Sequence, residues 1–211
     1  MNILYIVIAV FLGYLFGSIP SAVWVGKIFH GIDVREHGSG NAGATNVIRV
    51  LGWKTGIPVI IIDVAKGWLA AYLPVLFTLS EKGSGQLTGL QIITGLAAII
   101  GHIYPVFAGF RGGKGVGSTF GVLLALHPLL TLCCLGVFLL VLFITGYVSV
   151  SSMSAGLAFP VLLFTLFNTP SLLFKIFSVF IAIALILTHK KNIKRLLNGE
   201  ESRFIKKRNR E

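Results

Sequence analysis

What most limits the fold of this chain is a series of apolar runs, each about as long as a lipid bilayer is thick, with hardly a charge inside them. A helix needs roughly 20 apolar residues to cross about 30 Å of hydrocarbon. Inside the bilayer only helices and closed barrels satisfy every backbone group, and these runs are too long for strands. The spacing predicts seven helices, near 3–29, 57–79, 87–110, 116–126, 129–145, 148–167 and 172–188. The fourth is short enough to be a half-helix or a re-entrant segment, turning at Pro128. The expected architecture is thus an all-α integral membrane protein of about seven transmembrane helices, forming a single membrane-embedded domain over residues 1–211. Only 12% of the residues are charged, about half of what a soluble domain needs to cover its surface.

The few charges are placed unevenly, and their placement orients the chain. Nine of the 18 Lys and Arg residues lie between Lys190 and Arg210. Beside apolar spans, such a tail reads as a cytoplasmic flank against anionic lipid rather than as a nucleic-acid arm. With seven spans, a cytoplasmic C-terminus puts the N-terminus outside. The loops bearing Arg35, Arg49, Lys54, Arg111 and Lys114 then fall inside, and only Lys82 and Lys175 lie in the outer loops. The first basic residue is Lys27, so the first apolar run lacks the charged start of a signal peptide and is expected to be a retained span. Cys133 and Cys134 are adjacent within an apolar run and read as small hydrophobes, neither a disulfide framework nor a metal site.

Chemistry is concentrated in polar, glycine-rich segments at the expected cytoplasmic face. After the first run, Gly38, Gly40 and Gly43 alternate with Ser39, Asn41, Thr45 and Asn46 and lead into Arg49. Glycines let backbone N–H groups approach a ligand, and short polar side chains add donors. Taken alone, this segment reads equally as an anion cradle or as a turn-rich connector. In a second segment Gly112, Gly113 and Gly115 surround Lys114, just before the helix opening at Val116. Free N–H groups and the helix dipole attract anions there. It is not a Walker A loop, because Ala108 stands at the first glycine position and Gly115 follows the lysine.

Two further groups complete the inventory. If the last helix continues past His189, then His189, Asn192 and Arg195 share one face suited to phosphate and hydroxyl groups, with Glu200, Glu201 and Arg203 following. Lys206, Lys207, Arg208 and Arg210 read as a solvated tail on anionic headgroups. Asp63 and Lys66, three residues apart inside the second span, are expected to pair with each other. His102, near the Lys114 segment, reads equally as a structural residue or as a ligand group. His30, His37 and His127 have no context that singles them out.

Together these segments resemble the bacterial acyl-phosphate:glycerol-3-phosphate acyltransferase family. The resemblance rests on Gly17-Ser18-Ile19-Pro20, on GSGNAGATNVIR from Gly38 to Arg49, on DVAKG from Asp63 to Gly67, on GHIYPVFAGFRGGKGVGSTFG from Gly101 to Gly121, and on His189 with NIKRL from Asn192 to Leu196. The order is kept over nearly the whole chain. Arg111 stands where the family more often has Lys, and Gly117-Ser118 where it more often has Ala-Thr; charge and hydroxyl are kept.

The resemblance implies a seven-helix enzyme of the bacterial inner membrane with its active site facing the cytoplasm. It implies transfer of a fatty acyl group from acyl-phosphate to the 1-hydroxyl of glycerol 3-phosphate, giving lysophosphatidic acid and phosphate at the start of phospholipid synthesis. None of the five histidines is followed five residues on by Asp, the pattern of acyl-CoA-type glycerolipid acyltransferases. The implied catalytic set is Ser39, Arg49, Lys114, His189 and Asn192. The implied substrate-binding positions are Gly38, Gly40, Asn41, Thr45, Asn46, His102, Gly112, Gly113, Gly115, Ser118 and Glu201. Lys114 and the N–H groups about Gly113 and Gly115 would serve the phosphates and the developing oxyanion. Ser39, Arg49, His189 and Asn192 would hold glycerol 3-phosphate, with Ser118 and Thr45 assisting. No cofactor or metal is expected, and the partners are the two substrates and membrane lipid, with no nucleic acid and no obligate protein partner. The competing class is a transporter or channel for phosphate or another anion, which would place its ligand groups near the midplane on broken helices.

Overall fold

A computed structural model describes residues 3–167 and 171–204. The described residues contain ten α-helices and no strand, in two compact units that divide between His127 and Pro128.

The first unit opens with α1 (Ile3–Gly17) and α2 (Ser21–His30), which meet at a 42° bend. The sequence predicts one continuous span there. Pro20 breaks it, since a proline inside a helix removes an N–H and displaces the preceding turn. α3 (Ala44–Leu51) is a short helix inside the segment predicted as a loop, with Val47 and Ile48 buried and Arg49 exposed. Val47 packs with Ala22, Val34 and Val59, which fastens the polar segment to the helices on either side. α4 (Trp53–Leu76) is the longest helix, and it touches α1, α2, α3, α5 (Gly85–Ile103) and α6 (Val116–Leu126).

Small residues allow these helices to approach closely, as is usual where lipid gives helix pairs no hydrophobic drive to associate. A Cβ on Gly13 would stand 2.7 Å from the Thr94 carbonyl oxygen of α5, and one on Gly17 would strike that of Ala98. On the other side of α4, Gly67 lies against the Ser118 carbonyl, and Gly121 of α6 against that of Val64. With 11 residues, α6 is about 16 Å long, near half the thickness of the hydrocarbon.

The second unit comprises α7 (Pro128–Thr145), α8 (Val148–Leu162), α9 (Leu172–Thr188) and α10 (Lys190–Leu197). A single π-helical turn, Leu163–Phe167, continues α8 just after Pro160. Phe159, Phe174 and Phe177 form an aromatic cluster between α8 and α9, with ring centroids 5.8–6.2 Å apart. α9 ends at Thr188, where the apolar run predicts, and meets α10 at a 55° bend at His189, so the chain turns here instead of continuing as one straight helix.

Among the described residues, four helices are long and apolar enough to cross a bilayer, and each of two bent pairs adds one more if it counts as one span. Many apolar side chains face outward; Phe143 of α7 is 81% exposed. A water-soluble protein rarely shows such a surface, and lipid covers it at no cost. The protein is a multi-pass membrane protein. Lys206, Lys207, Arg208 and Arg210 of the basic tail lie outside the described residues.

Candidate active site

Within the first unit, four of the sequence motifs converge. One cleft is lined by Ile19, Pro20 and Ser21 from the bend, Ala42 from the first glycine segment, Lys66 from α4, and His102, Pro105, Gly112 and Gly113 from the end of α5 and the loop after it.

Beneath the cleft, the expected Asp63–Lys66 pair is present, with Nζ 2.8 Å from Oδ1 and both side chains almost fully buried. Its partners were not expected. The Ser21 hydroxyl donates to Asp63 Oδ1 at 2.6 Å, and Lys66 Nζ donates to the Ile19 carbonyl at 2.9 Å. The same carbonyl accepts the Ser21 N–H at 3.0 Å, so the buried ammonium is its second donor at the bend. His102 completes the group: its Nδ1 stands 3.5 Å from Asp63 Oδ1, in contact but without a hydrogen bond to any described residue. A buried carboxylate and imidazole are therefore neighbours, which the sequence alone did not disclose.

The loop carrying Lys114 doubles back along the last turn of α5. Gly112 N–H donates to the Ile103 carbonyl at 3.2 Å, and Gly113 N–H to that of His102 at 3.1 Å. These donors satisfy helix-terminal carbonyls that would otherwise lack partners. Gly113 has no room for a side chain, because a Cβ would strike Nε2 of His102 and stand 3.0 Å from the Ala42 carbonyl. Gly115 caps α6 at φ +83°, a left-handed conformation open to glycine. Lys114 is held half-buried between these two fixed glycines.

The first glycine segment is ordered from inside. Asn46, 1% exposed, donates to the carbonyls of Val34 (2.8 Å) and His37 (3.0 Å) and accepts from Ser39. It serves the loop's own structure rather than an open surface. Gly38 and Gly40 are exposed beside a half-buried Ser39, while Asn41 and Thr45 are half-buried and Arg49 is exposed on α3. A pair missed in the sequence ties the two loops together. Arg35 binds Asp33 through Nε (2.9 Å) and Nη2 (2.7 Å), and its Nη1 donates to the carbonyls of Ala108 (2.8 Å) and Arg111 (3.3 Å). The hydrogen-bonding guanidinium holds the Asp33 carboxyl well below the usual carboxylate range, against the opposing effect of burial. The spacing of Asp33 and Arg35 is too common in loops to have signalled this role.

Ser118 sits in the seam between α4 and α6, 0% exposed, and its hydroxyl has no hydrogen-bond partner among the described residues.

In the second unit, His189 is 2% exposed and its Nδ1 lies 2.7 Å from the Leu185 carbonyl. A carbonyl only accepts, so Nδ1 carries the proton and Nε2 holds the lone pair in the neutral ring. The turn at the bend brings Asn192 N–H to the His189 carbonyl at 2.8 Å, so the two remain neighbours although the helix does not continue. Glu201 gathers the rest: it accepts from Asn192 Nδ2 (2.6 Å), Arg195 Nε (2.8 Å) and Ser149 Oγ (2.8 Å). Burial raises its carboxyl pKa, but those three donors outweigh it and the net shift is downward. As placed, Glu201 orients Asn192 and Arg195. Arg203 donates to the Tyr147 hydroxyl at 3.1 Å, and Phe204 N–H to the Gly146 carbonyl at 2.7 Å, which holds the segment after α10 against the α7–α8 turn.

The pattern is a set of cationic and N–H donors mounted on rigid glycine loops in a membrane protein. Comparison with known proteins agrees with it. The chain matches the family described as Glycerol-3-phosphate acyltransferase over residues 7–199. A protein of that name from Chlorobium phaeobacteroides (strain BS1) is 42% identical over 231 residues, covering 96% of this chain and 97% of its own. One from Salinibacter ruber is 42% identical over 207 residues, covering 92% and 90%. Among solved structures, the glycerol 3-phosphate form of PlsY (YgiH), an integral membrane glycerol 3-phosphate acyltransferase, superposes with a TM-score of 0.83 at 36% identity, covering 95% of this chain and 96% of that one. The lysophosphatidic acid form of the same protein gives 0.81, also at 36% identity, covering 94% of each chain.

Proposed function

The chain belongs to the glycerol-3-phosphate acyltransferase family, and from that premise we propose that its donor is acyl-phosphate and its product 1-acyl-glycerol 3-phosphate. The observation that carries the reading is the Gly112–Gly115 loop. It holds a lysine immediately before a helix start, with its neighbours locked on α5. Backbone donors and an ammonium fixed in advance suit a reaction between two phosphorylated anions, whose repulsion they offset.

In this reading the 1-hydroxyl oxygen attacks the acyl carbon and the bond from that carbon to the phosphate oxygen breaks. Phosphate leaves with the electron pair, and the ester forms. The carbonyl is already activated, so positioning and charge stabilisation do most of the work and no covalent enzyme intermediate is required. Lys114 and the N–H groups at the start of α6 take phosphate oxygens and the developing oxyanion, while the Gly113 N–H, already given to the His102 carbonyl, holds the loop instead. On the family resemblance, Ser39, Arg49, His189 and Asn192 are assigned to the acceptor. The hydroxyl proton passes to a substrate phosphate, whose second pKa near neutrality fits the task. The acyl chain enters from the bilayer among the apolar helices.

The whole chain is read as one acyltransferase domain, supported by a family match that runs across both units. It is assigned seven spans in the bacterial plasma membrane, with the N-terminus outside and the loops of Arg35, Arg49 and Lys114 in the cytoplasm, supported by the bias of Lys and Arg toward those segments. The anion-transporter reading has less support, because the deep Asp63–Lys66 pair is already engaged by Ser21 and the Ile19 carbonyl.

The test is phosphate release by purified protein in lipid, supplied with palmitoyl-phosphate and glycerol 3-phosphate. Release that requires both, and that falls roughly 100-fold or more in Lys114→Ala, is the expected result. Turnover with palmitoyl-CoA but not with palmitoyl-phosphate would overturn the donor assignment.

A further inference from the structure

An ion pair sealed inside a membrane-spanning helix carries a desolvation cost of several kcal/mol per ion, and other uses of the same volume would avoid it. Part of the return is visible: Lys66 satisfies the Ile19 carbonyl at the α1–α2 bend. That explains the ammonium. It does not explain why the carboxylate also faces the ring of His102.

The ring lies between two neighbours. Its Nδ1 is 3.5 Å from Asp63 Oδ1, and its Nε2 lies against Gly113, where no Cβ fits. The backbone of the same histidine accepts the Gly113 N–H at 3.1 Å. A flip of the imidazole would remove the nitrogen facing Asp63 and change what presses on Gly113. The buried carboxylate thus selects the ring orientation, and the ring sets how near the loop can come. Lys114 follows directly.

We propose that Asp63 is a positioning residue for acyl transfer, acting through the His102 ring to place Gly113 and thereby the Lys114 ammonium. The role assigned to His102 is that of a strut, its Nε2 edge packed against Gly113. The proposal rests on the reading of the Gly112–Gly115 loop as the anion site. It adds a residue outside that loop, packed against Gly117 just after it, that determines the loop's geometry, and displacements of about 1 Å cost on the order of 100-fold in rate.

The test separates placing the loop from holding the fold. Asp63→Asn alone would strand a buried ammonium, so Asp63→Asn/Lys66→Met is used, which removes both charges and preserves stability. The double variant is expected to melt close to wild type. Its kcat should fall roughly 10- to 100-fold with a smaller change in the KM for glycerol 3-phosphate. Amide hydrogen exchange over residues 109–115 should be faster. Adding His102→Gln should cause little further loss, because two residues acting in series are not additive. A folded double variant with wild-type kcat and wild-type loop exchange would overturn the proposal, as would a His102→Gln effect that multiplies independently. If the double variant does not fold, Gly113→Ala carries the test. It presses on the ring from the loop side with the ion pair intact, and an unchanged kcat and exchange there would be equally fatal. Lys114→Ala separates the two readings. If it leaves kcat unaltered, the anion-site assignment fails, while hydrogen exchange still reports whether Asp63 orders the loop.

Discussion

Ser39 gives both its backbone N–H and its hydroxyl to the side-chain carbonyl of Asn46, at 2.8 and 3.1 Å. The amide of Asn46 meanwhile donates to two backbone carbonyls of the same loop. One buried side chain thus sets the loop from which Ser39 and Arg49 project.

Asn46→Asp is therefore expected to be nearly as harmful as Asn46→Ala. The carboxylate keeps the acceptor for Ser39 but cannot donate, and it faces the Val34 and His37 carbonyls. Each change should cost about 2 kcal/mol or more through stranded buried groups, together with more than a tenfold loss of acyl transfer. Thermal unfolding and turnover, measured in parallel, check this; wild-type behaviour of Asn46→Asp would show that the loop is held by other means.

Glu201 sets an acid limit on stability. Its pKa is lowered in the folded protein, so between the folded value and the usual value near 4.3 the unfolded chain binds more protons. The stabilisation from Asn192, Arg195 and Ser149 is complete above that usual value and is lost as pH falls through the folded one. Melting temperature against pH from 6 to 3 should fall more gently in Glu201→Gln than in wild type, from a lower plateau at pH 6.

The α4–α6 seam depends on the absence of side chains. Gly67→Val would drive a branched side chain into the Ser118 carbonyl and should cost about 1–3 kcal/mol, more if the helices cannot separate. Gly136→Ala on α7 meets nothing within 4 Å and serves as the control. It should leave stability unchanged in the same unfolding assay.

Ser118→Ala removes a buried hydroxyl that has no partner among the described residues. Unchanged or slightly raised stability is expected, because an unsatisfied polar group is costly to bury. Turnover measured alongside is decisive for the role implied by the family resemblance. A loss of activity at full stability would put this hydroxyl on the substrate.

The transmembrane character was legible because it depends on counting apolar residues, and the Asp63–Lys66 pair because one helical turn brings positions three apart together. What escaped notice depends on contacts between elements, which leave no periodic trace. Asp63 and His102 belong to different helices, and Arg35 reaches the carbonyls of Ala108 and Arg111 across a long stretch of sequence. The break at Pro20 was misread as continuous helix because the apolar run masks the proline's effect. The bend at His189 has neither Pro nor Gly to announce it. There the ring itself takes the Leu185 carbonyl. Residue type also pointed to the site more reliably than to the direction each side chain faces. Asn46 and Glu201 belong to the right clusters but turn inward to hold their neighbours.

The one-turn spacing of Asp63 and Lys66 also bears on how the protein is made. A lone carboxylate or ammonium in the middle of α4 would resist release from the insertion machinery into lipid until a partner helix arrived. Because both charges ride on the same helix, its centre is neutral from the moment it forms. α4 can therefore partition into the bilayer on its own account, and the docking of Ser21 and His102 becomes a later step of assembly rather than a condition of entry.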